Sequence, residues 1–535
     1  SIMSMLLVSR ARRAGLTITA RNIFEHRTPA ALATVATTED LAPTGEPGTG
    51  DIPLTPVMHE LLHRAGDHLG QVYQSTVIVT PAGLDLGTLT AALQALVDHH
   101  DMLRATLHTD RLTVPEPGTV DVEQWIRRVD ATTGPPADLL PEQTAEAVAR
   151  LDPRGGVMAQ FVWFDCAPGV PGRLLLVLHH LVMDGVSLRV LLSDLAAWHE
   201  APAGGERAEL ETVPASFRHW ARSLAAQAGS ADRRAELAPW TSVVSDTNPV
   251  TALAPGAAHG PVHEVTTTLP ADVTSTILTA VPANFHADVD DVLLATLVVA
   301  LSAWCRRQGR PDARDFLIDL ESHGRVPLTA SMDLSRTVGW FTEQHPVRLS
   351  ARAGEFADVR AGRGAAGRIL KRAKEELRAI PGDGLGYGIL RHLDPETAPV
   401  LAGLPAARIG FNYLGRFAEA ADGGQAWNRA SEGDGYTDTS GAIPAAHALE
   451  VLALVRDRPA GSELTLVLAA PRLVVTEAAL RSLADDWAAA LGGLARHVSR
   501  PGSGGHTPSD FSLIKLNQRQ IDELEGAFSD EGVNQ

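Results

Sequence analysis

Cysteine is nearly missing. Cys166 and Cys305 are the only two among 535 residues, and they lie in separate blocks. That excludes a disulfide framework, and neither cysteine has zinc-ligand spacing, so a reducing cytoplasm is the expected compartment. Positive charge is short as well: 46 Lys and Arg stand against 64 Asp and Glu, a net charge of −18. Such a balance argues against a general nucleic-acid or anionic-membrane binder. No apolar run reaches bilayer length. The most apolar segment, residues 292–305, is closed by Asp291 and Arg306 and predicts a buried core helix. A secretory leader is not expected either, since residues 1–14 read as amphipathic and polar-studded. Neither a 20–50-residue period nor a heptad pattern is found, and no His/Cys/Asp cluster has metal-ligand spacing. What remains, 44% hydrophobic and 21% charged, is an ordinary globular composition in a chain too long for one core.

Against these absences, residues 174–185, LLLVLHHLVMDG, stand out. A strand-like apolar run delivers His179 and His180 to its end, and Asp184 and Gly185 follow in the pattern H-H-x-x-x-D-G. Neighbouring side chains in a strand point to opposite faces, so one histidine can face a cleft while the other is packed. Gly185 permits the turn into a helix over 187–198, where Leu188, Leu191, Leu192, Leu195 and Trp198 recur at helical spacing. A histidine at a strand end is a plausible general base near neutral pH.

The pattern resembles the signature of the condensation-domain superfamily of nonribosomal peptide synthetases. Four later blocks, in order, resemble its epimerisation branch: residues 319–325 (DLESHGR), 338–342 (VGWFT) with Pro346, 381–388 (PGDGLGYG) and 411–415 (FNYLG). The resemblance implies a mixed α/β fold of two chloramphenicol-acetyltransferase-like lobes, a V-shaped pseudo-dimer with a central tunnel. It also implies the layout. Residues 1–36 are similar to the C-terminal part of a peptidyl carrier domain, and 37–51 form a Pro/Gly-rich acidic linker. The N-lobe is expected over 52–235, the C-lobe over 236–500, and a C-terminal linker, loose apart from Phe511, Leu513 and Leu516, over 501–535. Ser1 takes the place of the carrier's phosphopantetheine serine and is the candidate attachment site; the alternative is that the fragment takes no modification as it stands.

By this resemblance the activity is L-to-D epimerisation at the α-carbon of a carrier-bound aminoacyl or peptidyl thioester, an isomerase reaction of D-amino-acid-containing antibiotic biosynthesis. A base must remove the α-proton and an acid return one to the other face, with donors for the enolate oxygen. His180 and Glu321 are the expected proton-handling pair. Tyr413 is the third catalytic candidate, as enolate donor or proton path. Asn412 is expected to position substrate or to cap its strand. His179 is expected to be packed or to support His180 from behind, Asp184 to orient His180 or, as the resemblance favours, to be structural and paired with an arginine, Gly185 to be a backbone requirement, and His323 and Arg325 to shape the loop. The cofactor is 4′-phosphopantetheine on the carrier, with no metal, pyridoxal phosphate or nicotinamide. Partners are the carrier and neighbouring adenylation and condensation domains; no nucleic acid and no membrane are implied.

Two other readings stay open: a condensation-type acyltransferase forming a peptide bond, and a degenerate domain kept as a carrier-docking scaffold. Departures from the family pattern are Val326, where a glutamate is usual, Glu60 for an aromatic residue, and Leu188 for a tryptophan. His99-His100-Asp101 is read as a structural stretch, the 382–388 glycines as a loop, and Trp340-Phe341-Thr342 as packing between lobes.

Overall fold

Aliphatic runs without helical spacing become strands, and these gather into two main sheets, one in each of two units of the chain. The computed structural model describes residues 7–8, 10–11, 14–18, 22–23, 26, 28–38, 46–132, 134, 136–200, 210–245, 261–329, 332–417, 426–430, 445–511 and 513–531. Ser1 lies outside them. The first unit holds Ser1–Ser230, His323–Glu343 and Ala420–Ile443; the second holds Ala231–Ser322, Gln344–Glu419 and Pro444–Gln535.

In the first unit, β1 (Tyr73–Val79), β2 (Ile126–Asp130), β3 (Ala159–Asp165) and β4 (Arg173–His179) form a sheet in the order β1-β4-β3-β2. β4 is antiparallel to both neighbours, while β2 runs parallel to β3. Every residue of β4 after Arg173 is buried, which is why its sequence is a continuous apolar run rather than an alternating one. The free edge of β1 is extended by residues 427–430, whose Ala430 N–H donates to the Val77 carbonyl at 2.8 Å. α1 (Leu86–His99) starts where the Asp85 carboxylate accepts from Thr88 N–H at 2.9 Å, as an N-cap does. α2 (Pro136–Ala149) covers one sheet face through Ala147 against Val162, Phe164, Leu175 and Val177. α3 (Gly185–Glu200) follows β4 and buries Val186, Val190, Leu191 and Leu195, leaving Leu188, Leu192 and Trp198 half-buried. Its apolar stripe is thus turned from the expected one. Ser216 caps α4 (Phe217–Ala226), which buries Phe217, Trp220, Ala221 and Leu224.

The second unit carries β5 (Val262–Leu269), α5 (Val289–Arg307), β6 (Asp315–Ser322), β7 (Glu343–Ser350, in this unit from Gln344), α6 (Ala365–Arg378) and α7 (Leu385–His392). β8 (Ile409–Phe417), β9 (Leu449–Arg458), β10 (Gly461–Pro471) and α8 (Glu477–Val498) follow. The sheet order is β7-β6-β8-β9-β10-β5, with β8 parallel to both β6 and β9. α5 buries every residue from Val292 to Cys305 except the half-buried Ala303 and packs against α6 and α8 in one large core. The glycine-rich 382–388 stretch is not all loop, because Gly386 and Gly388 sit inside α7. A Cβ on Gly386 would lie 1.8 Å from Glu236 Oε2, so the glycine lets that carboxylate approach α7 closely.

The C-terminal linker is docked rather than loose. Asp510 holds the buried Lys374 ammonium with both oxygens at 2.7 Å, and α9 (Gln518–Glu531) buries Ile521 and sets Asp522 and Glu525 against Lys371. Of the three apolar residues expected to be its ordered part, Phe511 and Leu516 are half-buried while Leu513 is 96% exposed, so ion pairs and Ile521 fix the segment along with them. No helix among the described residues is long and apolar enough to cross a membrane.

Candidate active site

In the first unit, β4 hands the chain from His179 to a single 3-10 turn, His180–Val182. His179 is wholly buried. Its Nε2 bonds the Leu69 carbonyl at 2.9 Å and its Nδ1 accepts from Leu181 N–H at 3.2 Å, so both nitrogens are engaged by the backbone. Burial pushes its pKa down to about 4, and the neighbouring His180 adds to that. His180 is half-buried. Its Nδ1 lies 3.0 Å from the Met183 carbonyl, its Nε2 lies 3.0 Å from the Gln74 amide nitrogen on β1, and its ring meets Trp340 at 4.3 Å between centroids. Nothing in the sequence singles out Gln74 or Trp340 as a partner of His180. Gln74 has the generic look of a polar residue in a strand, and only pairing of β1 with β4 brings it here.

Asp184 does not reach for the histidine. Its Oδ1 accepts from Ser187 N–H at 2.7 Å, Ser187 Oγ at 2.8 Å and Arg325 Nη2 at 2.8 Å, so it caps α3 and forms a buried ion pair. Gly185 is the first residue of α3. Arg325 also donates to the Leu334 carbonyl at 3.1 Å and lies 4.1 Å from the centre of the Phe341 ring. Arg325 N–H donates to His323 Nδ1 at 3.1 Å; burial and the Arg325 charge hold the His323 pKa down to about 4. Gly324, at φ +58°, would place a Cβ 1.8 Å from the Phe341 carbonyl, so only glycine fits that turn. Trp340 and Phe341 pack inside this unit, Phe341 meeting Phe217 and Trp220 at 4.9 and 4.7 Å.

In the second unit, parallel pairing of β6 with β8 sets Glu321 opposite Asn412. Asn412 Nδ2 donates to Glu321 Oε1 at 2.6 Å, and Gln344 Nε2 from β7 donates to Oε2 at 3.3 Å. Glu321 is therefore held between amides from the strands on either side of its own. Two residues back on the same face, His447 bridges Asp319 at 2.9 Å and Glu450 at 3.0 Å above Gly410, which lies opposite both Asp319 and Glu450. Burial alone would lower the His447 pKa; the two carboxylates outweigh it and push it up to about 10. Tyr413 alternates to the other face of β8 and packs on the helical core. Burial and the nearby Asp290 charge raise its hydroxyl pKa to about 12. The structure thus joins Glu321 with Asn412 and puts Tyr413 on the opposite side of the sheet.

Among the described residues one cluster offers three metal-ligating groups, His99, His100 and Asp194, within 4.8 Å. All three are engaged internally: His100 Nε2 with Asp194 Oδ2 at 2.8 Å, Arg336 with the other Asp194 oxygen, and His99 Nε2 with the Glu211 carbonyl at 3.0 Å.

The family model described as Condensation domain matches residues 50–435. The chain belongs to the condensation-domain family. Across 98% of its length this family member is 34% identical to one protein of the linear gramicidin synthase of Brevibacillus parabrevis, and it spans 7% of the length of that relative. The solved epimerization domain from the third module of tyrocidine synthetase B matches it with a TM-score of 0.70 and 25% identity, over 86% of this chain and 98% of that one. The first condensation domain of the CDA synthetase shares the fold at a TM-score of 0.58 and 18% identity, over 85% and 98% of the two chains. The mixed α/β architecture of this chain is the two-lobe fold of that superfamily.

Proposed function

We propose that this condensation-family chain is an epimerisation domain of a nonribosomal peptide synthetase. It would invert the α-carbon of an aminoacyl or peptidyl thioester brought in on a phosphopantetheinylated carrier. The observation that carries the reading is the Asn412–Glu321–Gln344 arrangement: a carboxylate whose two oxygens are each held by a neutral amide donor. Such donors fix the plane of the carboxyl group and aim its oxygens, as an oriented proton-handling group requires. A transferase joining an amine to a thioester needs no second proton handler of this kind. The 25% identity to a solved epimerization domain supports the same reading.

The thioester is substrate, and it supplies the acidity of the α-proton. His180 and Glu321 share the proton work: one takes the α-proton as the C–H electron pair moves onto the thioester carbonyl, and the other returns a proton to the opposite face of the resulting enolate. Asn412 holds Glu321, while Asp184 and Arg325 hold the turn that carries His180. Any proton that Tyr413 supplies comes from the helical side of β8. Residues 1–36 belong to the carrier, with Ser1 as the attachment point when the carrier is whole; the lobes meet the carrier and the adjoining adenylation and condensation domains in the cytoplasm.

The test is proton exchange in D2O with a separate intact carrier loaded with an L-aminoacyl group. Released amino acid that carries α-deuterium and is partly D-configured is the expected result, with exchange falling by about 10²-fold or more in His180→Ala and Glu321→Gln. Loaded carrier returned without deuterium, together with amide formation when an acceptor amine is added, would instead establish the transferase.

A further inference from the structure

The ring of His180 is read by its partners. Its Nδ1 faces a backbone carbonyl, Met183 O at 3.0 Å, which can only accept; Nδ1 therefore carries a hydrogen. In the neutral ring Nε2 is then the lone-pair nitrogen, and the group 3.0 Å away is the amide nitrogen of Gln74, a donor. The other end of the same amide, Gln74 Oε1, is buried and has no hydrogen-bond partner among the described residues, in a side chain only 6% exposed. A buried amide oxygen left unpaired is costly. It gains a use once the ring picks up a second proton: Nε2–H then needs an acceptor, and a half-turn of the amide about its last side-chain torsion brings Oε1 to it.

We propose that Gln74 is a positioning residue that serves both protonation states of His180, donating to Nε2 when the ring is neutral and accepting from it when the ring is cationic. The proposal rests on the epimerase reading, in which His180 both loses and gains a proton at Nε2 within each cycle. A fixed donor would oppose the cation, and a fixed acceptor would oppose the neutral ring; an amide that turns opposes neither. The charged and titratable groups around the ring leave this task to Gln74. His179 on β4 has both nitrogens engaged, Asp184 at the cap of α3 is paired with Arg325, and the segment 323–343 presents the uncharged Trp340 ring. Gln74 itself is fixed on β1, where it lies opposite Leu178 of β4.

Two measurements test it separately. The first needs no substrate: ring nitrogen NMR of 15N-histidine-labelled protein, with His180 assigned by loss of its signals in His180→Gln. The expected resting state is the Nδ1–H tautomer, and in Gln74→Glu, which accepts but cannot donate, the second protonation moves upward by about one pH unit or more. An Nε2–H resting tautomer, or an unmoved midpoint in Gln74→Glu, overturns the proposal whether or not the protein is an epimerase. The second is α-deuterium exchange with loaded carrier. Gln74→Leu is expected to lose at least tenfold in kcat with KM for the carrier unchanged, less than the ~10²–10⁴-fold worth of the proton-handling group itself. If Gln74→Leu does not fold, Gln74→Asn draws the amide back by one methylene and must show the same loss. Wild-type exchange rates in a folded variant overturn the proposal, whereas absence of exchange in the unaltered protein overturns the epimerase reading and leaves the NMR result to decide the coupling.

Discussion

Arg325 and His447 carry charge in places where charge is expensive, and each meets groups of opposite charge. Arg325, fully buried in its side chain, meets Asp184, Ser187 and two backbone carbonyls. Removing the guanidinium leaves the Asp184 carboxylate uncompensated in the interior, so Arg325→Leu is expected to cost about 3–5 kcal/mol in denaturant unfolding. A loss under about 1 kcal/mol would mean that water replaces the arginine at no penalty. His447 gives a pH-dependent counterpart. Its pKa rises from the ordinary histidine value of 6.5 to about 10 in the fold, because Glu450 and Asp319 outweigh burial. A proton bound more tightly by the folded state contributes its full stability below about pH 6.5, and that contribution is withdrawn as pH climbs towards 10. The unfolding midpoint should therefore drop between about pH 7 and 10 in the unaltered protein and drop less steeply in His447→Gln. Parallel slopes would rule out the doubly paired imidazolium.

At the scale of elements, the polar face of the second sheet is built in register steps: Asp319, Gly410 and Glu450 in one row, Glu321 and Asn412 in the next. Gly410 makes room for the lower row, since a Cβ there would sit 2.4 Å from Glu450 Oε2 and 2.5 Å from His447 Nδ1. Gly410→Ala is expected to cost about 1–3 kcal/mol by overpacking. It should also slow α-deuterium exchange, because the displaced row lies directly beside the Glu321–Asn412 bond. Stability loss with unchanged exchange would separate the two rows. Some of this architecture was legible in the chain itself. The ends and faces of α1 and α8 can be read from the residues themselves, because Asp85 and Thr476 cap them and apolar periodicity fills them. β7 was not, since EQHPVRLS mixes charge and proline in a strand that owes its place to pairing with β6. The candidate residues divide the same way. Local motifs nominate His180 and Glu321 as candidates, but their bonding partners are not legible locally, because Gln74 lies 106 residues from His180 and Asn412 lies 91 from Glu321. Arg325 reads locally as a neighbour of Glu321, yet its side chain bonds Asp184, 141 residues away.

Across the whole molecule, the chain passes between its two units five times, after Ser230, Ser322, Glu343, Glu419 and Ile443, so no continuous stretch contains all of the first unit. The consequence is testable with a fragment ending at Ser230. That fragment keeps the sheet, the histidines and α1 to α4, but it loses three supports. Asp184 and Ser187 lose Arg325; Phe217 and Trp220 lose Phe341; and the edge of β1 loses residues 427–430. A buried carboxylate without its cation, two uncovered aromatic rings and an open strand edge are each destabilising by named routes. The fragment is expected to be compact but without fixed packing, retaining far-ultraviolet and losing near-ultraviolet circular dichroism and binding a hydrophobic dye. A cooperative unfolding transition in the fragment would show that residues 1–230 fold unaided. The returning segments would then be additions to a finished unit, and the Asp184–Arg325 pair a late contact rather than part of what holds the His180 turn in place.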